Sequence, residues 1–229
     1  NTARVTAMND MFTFAYDFNQ PLNDWNLANV NDMSNMFRRA TAFNQPINNW
    51  SVASVTNMEG MFQYARNFNQ PLDDWNVASV NDMSFMFLGT TNFNQPLNDW
   101  NVASVTSMGF TFILYYNVHV LGMFKMATNF NQPLDDWNVA SVTDMQGMFS
   151  RATNFNQPLD DWDVSSVTDV YRMFLQAYDF NQPLNGWNVA SVNTMGYMFN
   201  QAFTFNQPLD AWNVASVLSM ASMFKKAAA

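Results

Sequence analysis

The chain has 229 residues, of which 48% are hydrophobic and only 12% are charged, and its formal net charge is -9 at pH 7. This composition supports a continuous buried core and excludes an intrinsically disordered chain. The negative charge argues against nucleic acid and anionic membrane surfaces as partners.

Cysteine is absent, which excludes disulfides, thiolate zinc sites and cysteine nucleophiles. There is no run of eighteen or more apolar residues, so we expect no direct insertion into a membrane. The chain begins at Asn1, with neither an initiator methionine nor a signal sequence, which favours a cleaved precursor or an excised fragment.

One phrase of twenty-five residues recurs along the chain, and its best copy is FNQPLDDWNVASVNDMSFMFLGTTN at residues 68–92. Its first phenylalanine returns every 25 residues except for one step of 37. A fixed period of this size predicts a solenoid, so we expect one array over residues 1–229. It divides into a partial repeat (1–17), three repeats (18–92), a repeat with a twelve-residue insertion (93–129) and four repeats (130–229).

The second half of each repeat predicts a short helix of roughly ten residues. Val142, Met145, Met148, Phe149 and Ala152 are separated by three, three, one and three residues, which places them on one helical stripe. The residue before the valine is serine in seven copies and asparagine in the first, and both are preferred N-caps. Four carboxylates lie three residues after this cap, where they suit the helix dipole. They are Asp32, Asp82, Asp144 and Asp169.

The first half of each repeat predicts a turn followed by a short strand. Proline cannot donate to a sheet ladder, so we interpret FNQP as a turn. Leu72, Trp75 and Val77 have the spacing of leucine-rich repeats, whose short parallel strands line one face. The expected fold class is therefore α/β, a leucine-rich-repeat-like solenoid with one short parallel strand and one short helix in each repeat. The tryptophan and methionine columns are interpreted as core rather than as ligand-binding stripes.

The phrase W-N-V-A-S-V-T-x-M-x-x-M-F-x-x-A-x-x-F-N resembles the roughly twenty-five-residue repeat of the BspA-like leucine-rich repeat surface proteins, a bacterial and mycoplasmal lipoprotein type. The resemblance covers nearly the whole chain. It departs at the insertion and in the lack of a lipoprotein cysteine. What it implies is a solenoid, display at a cell surface, and binding or adhesion rather than catalysis.

Two polar columns flank the tryptophans and are candidates for a binding surface. The asparagines that follow tryptophan should lie on the exposed sheet face, and the candidates are Asn76, Asn101 and Asn138. The acidic candidates that precede tryptophan are Asp74, Asp99, Asp136 and Asp161. Carboxylates stacked about 4.8 Å apart would repel, so either solvent screens them or a cation such as calcium bridges them. No EF-hand loop accompanies them, and we assign no metal site.

The insertion is the one non-repetitive feature, and it places ILYYNVHVLGM between Phe112 and Phe124. Both phenylalanines follow the helix pattern, as if twelve residues were looped out between them. Insertions in repeat proteins often carry binding, and Tyr115 and Tyr116 are the candidate contact residues. Tolerated drift is the other interpretation, because lengthening a loop costs little entropy.

The sequence offers no catalytic set. It has no histidine-supported nucleophile or phosphate loop, and its paired carboxylates recur as a column rather than converging in one pocket. We expect a non-enzymatic protein without cofactors, secreted or displayed at a cell surface, that binds a protein or glycan along its sheet face or through residues 113–122. The alternative is a structural protein whose partners are identical chains, in filaments or lateral arrays.

Overall fold

A computed structural model describes residues 2–114 and 117–227. In this part of the chain the regular elements are two antiparallel strands, β1 (Gly109–Leu114) and β2 (Asn117–Gly122), which pair as a hairpin with Gly109 opposite Gly122. The described residues contain no helix, and so none that could cross a membrane. The rest of the molecule is a stack of irregular coils, one per repeat, which we call layers.

The expected α/β fold with a helix in each repeat is wrong, because the residues assigned to the helix form a chain of overlapping turns. In residues 35–40, every second N–H donates to a carbonyl three residues back, as from Met36 to Met33 at 3.2 Å. The intervening N–H groups donate to the next layer, as from Phe37 to the Met61 carbonyl at 2.8 Å. An α-helix would use all of these donors internally and leave none for the neighbouring layer.

Each complete set of turns contains two residues with positive φ, four positions apart. In the second layer these are Asn35 (φ 55°) and Arg39 (φ 59°). Each is the third residue of a four-residue turn closed by a hydrogen bond, which is the position where a type II turn requires positive φ. A right-handed helix excludes this conformation. The apolar residues spaced by three, three, one and three therefore all point into the core, although the backbone between them forms successive turns instead of a helix.

The predicted strand after FNQP is also absent. The Trp75 N–H donates to the Leu72 carbonyl at 3.1 Å, which closes a turn instead of joining a ladder. Parallel pairing occurs elsewhere, as single bridges that link equivalent residues of successive layers. These bridges run through Ala7, Asp32, Asn57, Asp82, Ser107, Asp144, Asp169, Thr194 and Ser219. The predicted serine caps also serve the stack, since Ser79 Oγ donates to the Ala53 carbonyl of the preceding layer at 2.9 Å.

Three aromatic columns form the core. The ring centroids of Phe37 and Phe62 are 5.8 Å apart, those of Phe43 and Phe68 are 5.9 Å apart, and those of Trp50 and Trp75 are 6.4 Å apart. All three pairs are nearly parallel. Every tryptophan from Trp50 onward also donates its indole N–H to a leucine or isoleucine carbonyl of the preceding layer. The tryptophan and methionine columns are buried between the outermost layers, as predicted for core residues.

The FNQ segment forms a second link between layers. The Oδ1 atom of Asn94 accepts from the Asn131 backbone N–H at 2.9 Å and from Gln132 Nε2 at 3.0 Å. Equivalent pairs of bonds connect every layer from Asn19 to Asn206. This asparagine ladder gives FNQP a structural role that needs no sheet.

Replacing Asn94 with alanine tests the ladder, because the donors of Asn131 and Gln132 then lose their shared acceptor. We expect Asn94→Ala to lower the free energy of unfolding by about 1 to 3 kcal/mol, measured by urea denaturation. The control is Asn81→Ala, at an exposed asparagine outside the ladder, which should change it by less than about 0.5 kcal/mol. Equal losses in the two variants would contradict a specific role for the ladder.

Candidate functional site

The β1–β2 hairpin is inserted into one of the regular turns of the repeat. In the preceding layer, the Met86 N–H closes a four-residue turn on the Met83 carbonyl at 3.2 Å. The equivalent bond joins the Met123 N–H to the Met108 carbonyl at 2.9 Å, with twelve additional residues between them. The insertion therefore leaves the stack between Met108 and Met123. The predicted position between Phe112 and Phe124 is wrong.

The phenylalanine column confirms this position. The ring of Phe124 lies 5.6 Å from that of Phe87 and 5.7 Å from that of Phe149, so Phe124 fills the column position of its layer. Phe112 belongs to β1, opposite His119. Register is thus preserved on both sides of the hairpin.

Two glycines allow the hairpin to pass between its neighbours. A Cβ atom on Gly109 would lie 2.3 Å from the Gln146 carbonyl oxygen, and one on Gly122 would lie 2.2 Å from the Gly147 carbonyl oxygen. Real Cβ atoms do not come this close to backbone. The base of the hairpin is therefore fixed against the next layer, and its position relative to the stack follows from that contact.

A cleft of about 360 Å³ lies between the hairpin and the two layers before it. We call it the hairpin cleft. It is lined by Glu59, Asp82, Ser84, Phe85, Ser107, Phe110 and Leu121. One wall carries carboxylates and hydroxyls from three successive layers, and the other carries Phe85 together with apolar side chains of β1 and β2.

Hydrogen bonds hold the polar wall in place. Ser84 Oγ and Ser107 Oγ are 2.8 Å apart, and Ser107 Oγ donates to the Gly109 carbonyl at 3.0 Å. Asp82 Oδ1 accepts from the Ser84 N–H at 2.8 Å, which orients its carboxylate. The hairpin base and the cleft floor are therefore parts of one bonded unit.

The apolar wall centres on two phenylalanines. Phe85 and Phe110 meet edge to face with centroids 6.2 Å apart. Phe85 is buried and has a φ of 57°, while Phe110 keeps 49% of its surface exposed. An exposed aromatic ring beside a recess is a common feature of binding sites.

The electrostatics of the cleft are acidic. Burial raises the pKa of Glu59 above its usual value near 4.5, and the charges of Asp82 and Asp32 raise it further. Arg38 acts in the opposite direction. A cationic group entering the cleft would relieve the repulsion between these carboxylates.

The bridge column continues past the hairpin with two more acidic residues. Burial raises the pKa of Asp144, and it raises that of Asp169 from 3.8 to about 6. Hydrogen bonds from the N–H groups of Gln146 and Tyr171 act against these shifts, and the charge of Asp144 adds to the shift of Asp169. These aspartates were predicted as helix first-turn residues, and they instead bridge successive layers.

The asparagines predicted to line an exposed sheet face are exposed, although no sheet runs beneath them. Asn76, Asn101 and Asn138 each accept, through Oδ1, from the backbone N–H two residues later, at 3.2 Å in all three. These are Asx turns, which stabilise the local chain. Tyr115 and Tyr116 lie outside the described residues.

The acidic candidates before tryptophan lie apart from the hairpin cleft. Asp74, Asp99, Asp136 and Asp161 are all exposed. Asparagines in this column donate hydrogen bonds to aspartates of the next layer. Asn48 Nδ2 donates to Asp74 at 2.7 Å, and Asn98 Nδ2 donates to Asp136. Among the described residues, no three His, Cys, Asp or Glu side chains converge as metal ligands would.

Sequence reasoning missed the residues that do converge. Glu59 and Ser84 occupy the same repeat position in successive layers, two residues after the bridge, and that position varies freely along the chain. The glycine pair at 109 and 122, spaced by the length of the insertion, is the signal that could have located the hairpin base.

These features define a tandem-repeat protein of stacked turn layers with one inserted hairpin. The model of the family described as "Mycoplasma protein of unknown function, DUF285" matches residues 1–65 and 118–229, which is more than half of the chain. The chain belongs to this family. Neither the curated proteins nor the solved structures include a significant match to it.

Substituting a glycine at the hairpin base tests the fixed seat of the hairpin. Because a Cβ on Gly122 would meet the Gly147 carbonyl, we expect Gly122→Ala to lower the free energy of unfolding by about 1 to 3 kcal/mol. In Gly186→Ala the added Cβ would lie 3.6 Å from the Asp160 carbonyl, an ordinary contact, and stability should hold. Chemical denaturation of both variants measures the difference. A neutral Gly122→Ala would show that the hairpin is not fixed there.

The raised pKa of Asp169 predicts a pH dependence of stability. Between pH 3.8 and about 6, the folded chain binds protons at Asp169 more tightly than the unfolded chain, so stability falls as pH rises through this window. Asp169→Asn keeps an Oδ1 acceptor for the Tyr171 N–H, as Asn57 provides for the Glu59 N–H. We expect a gain of about 1 kcal/mol near pH 7.5, allowing for solvent screening, and no gain near pH 3.5.

Thermal unfolding across this pH range checks the expectation. The control is Asp163→Asn, because hydrogen bonds from Ser165 lower the pKa of the exposed Asp163. That variant should show no gain at neutral pH. A gain in Asp169→Asn that is constant with pH would assign the effect to something other than ionisation.

Proposed function

We propose that this chain is a non-enzymatic binding module and that its contact element is the hairpin with the cleft at its foot. The observation that carries the proposal is the hairpin itself, the one interruption of the 25-residue period in the chain. It leaves the stack without disturbing the layers on either side, and a recess forms between it and the two preceding layers. A projection fixed at its base meets the requirement for preorganised recognition.

The chemistry of the hairpin cleft favours a protein ligand with a basic side chain next to an apolar one. Glu59 and Asp82 supply negative charge at one wall, while Phe110 and Leu121 supply apolar surface at the other. The net charge of -9 would also attract a basic partner over distance at moderate ionic strength. The column of Asn76, Asn101 and Asn138 is a weaker candidate, because each Oδ1 already accepts a backbone hydrogen bond.

Display outside the cell is part of the proposal. Membership of the mycoplasma family supports it, together with the likeness of the repeat phrase to the BspA-like surface proteins. Adhesion to a host or matrix protein would then be the role of the hairpin.

Self-assembly of identical chains is the second candidate. It is favoured by the exposed rings of Tyr178 and Phe203, which stack with centroids 5.0 Å apart on neighbouring layers. Light scattering over a dilution series separates the two candidates. Growth in particle mass with concentration, without any ligand, supports assembly, and a monomer at all concentrations supports ligand binding.

Removing the hairpin tests the proposed contact element. Deleting residues 110–121 leaves Met108-Gly109-Gly122-Met123, a four-residue turn in the regular 25-residue period with glycine at the position that takes positive φ. We expect this variant to fold with a melting temperature close to that of the full chain. Phe110→Ala provides a point variant at an exposed ring.

Peptide phage display on the full chain, with counter-selection on the deletion variant, measures hairpin-dependent binding. We expect enriched peptides with Lys or Arg next to an apolar residue, and their affinity for Phe110→Ala should fall by about tenfold. Phe203→Ala is the control, since Phe203 is also an exposed phenylalanine but lies far along the stack. Peptides that bind the deletion variant equally well would place the binding surface elsewhere.

A further inference from the structure

A second recess lies where arginines and tyrosines alternate along the first layers of the stack. It has a volume of about 410 Å³ and is lined by Tyr16, Arg39, Thr41, Tyr64 and Arg66. We call it the arginine groove. Its lining comes from two repeat positions, two residues apart, in three successive layers. The groove carries two positive charges in a chain whose net charge is -9.

Arg39 is held between aromatic rings of the layers on either side of it. Its guanidinium carbon lies 5.4 Å from the ring centroid of Phe14 and 5.4 Å from that of Tyr64. All three residues occupy the same repeat position and share a positive φ. The rings fix a long cationic side chain that solvent would otherwise leave disordered.

Tyr64 is fixed in turn by the layer beyond it. A Cβ on Gly89 would lie 2.4 Å from Tyr64 Cδ1 and 2.6 Å from Cε1, so the ring lies directly over the glycine. Gly89 occupies the next place in the same column and has a φ of 67°. The groove wall is thus a built surface, ordered from Phe14 through Arg39 and Tyr64 to Gly89.

The two guanidinium groups in the groove keep their donors for a ligand. Within the described residues, neither Arg39 nor Arg66 donates a side-chain hydrogen bond, and both are exposed. Arg151 differs, although it has the same repeat position and nearly the same φ as Arg39 (61° and 59°). Its Nε donates to Gln176 Oε1 at 2.7 Å, so one of its guanidinium N–H donors is already bonded within the protein.

We propose that the arginine groove binds a saccharide that carries an oxyanion, either a carboxylate or a sulfate. A planar guanidinium matches such groups through paired N–H donors. The exposed ring of Tyr16 offers a face on which a sugar ring can rest, and the Tyr64 ring holds the Arg39 guanidinium in position. The Thr41 hydroxyl adds a polar group. The volume accommodates one or two sugar units, which is small for a folded partner.

This site is independent of the hairpin cleft. Both recesses reach the third layer, through Glu59 in the cleft and through Tyr64 and Arg66 in the groove, but they share no lining residue. Loss of one binding activity therefore leaves the other to be measured separately.

Isothermal titration calorimetry of the full chain tests the proposal with four probes. They are a uronic-acid disaccharide, a sulfated disaccharide, neutral lactose and a glutamate-rich peptide. We expect at least one anionic saccharide to bind about tenfold more tightly than lactose, and the comparison of the first two probes identifies the oxyanion. Binding of the peptide alone, or of none of the probes, would overturn the proposal.

Variants locate the binding in the groove. Arg39→Gln should weaken the anionic saccharide by about tenfold or more, and Arg66→Gln provides the same test at an exposed side chain if Arg39→Gln fails to fold. Tyr64→Leu should also weaken it while leaving both charges in place. The matched control is Arg151→Gln, at the equivalent position of a different layer, which should stay within about twofold of the parent. An equal loss in Arg151→Gln would mean general charge attraction, which overturns the assignment.

Discussion

The structure depends on how each layer divides its backbone N–H groups. Along residues 35–40, alternate donors close turns within the layer and the others reach carbonyls of the next layer. Half of these N–H groups are thus paired within the layer and half with the next layer, so a layer without a neighbour leaves backbone hydrogen bonds unmade. This division also requires two residues with positive φ in each layer that the hairpin does not interrupt, and most of these residues are not glycine. The local strain is offset by interlayer hydrogen bonds and by burial of the aromatic columns.

The side chains reinforce the same link at three separate places. The indole N–H of each inner tryptophan, the Oδ1 of each FNQ asparagine and several serine hydroxyls all bond across the layer boundary. The rings of the three columns stack in the same direction. Because hydrogen bonds are directional and hydrophobic burial is not, the ladder sets the register and the columns supply the apolar burial.

The repeat length, the buried columns and the uniqueness of the insertion follow from the sequence. The helix was predicted wrongly, because apolar residues at steps of three, three, one and three fit one face of a helix as well as they fit alternating turns. Three glycines, Gly60, Gly89 and Gly147, occupy positions that take positive φ and so disfavour a helix. Arginine, tyrosine and phenylalanine fill the same positions in other repeats and hide this signal. A pattern that tolerates such residues cannot be recognised from composition.

The hairpin cleft shows the same limit. The insertion could be seen in the spacing of the phenylalanines, but its exit point could not, because Phe112 and Phe124 both satisfied the repeat pattern. Glu59 and Phe110 are fifty-one residues apart and line the same cleft only because their layers and the one between them stack in register. Contacts of this kind depend on the rise and rotation of each layer, which no single repeat encodes.

The way in which the hairpin leaves the stack has a wider consequence. The Met108 to Met123 hydrogen bond is the ordinary closing bond of a turn that every layer possesses, so the scaffold has an equivalent exit at each of its other layers. New segments could be inserted at those turns with a pair of small residues at the base, and the register of the flanking layers would be unaffected. A chain of this type can therefore diversify its outer surface, one layer at a time, while its interior stays the same.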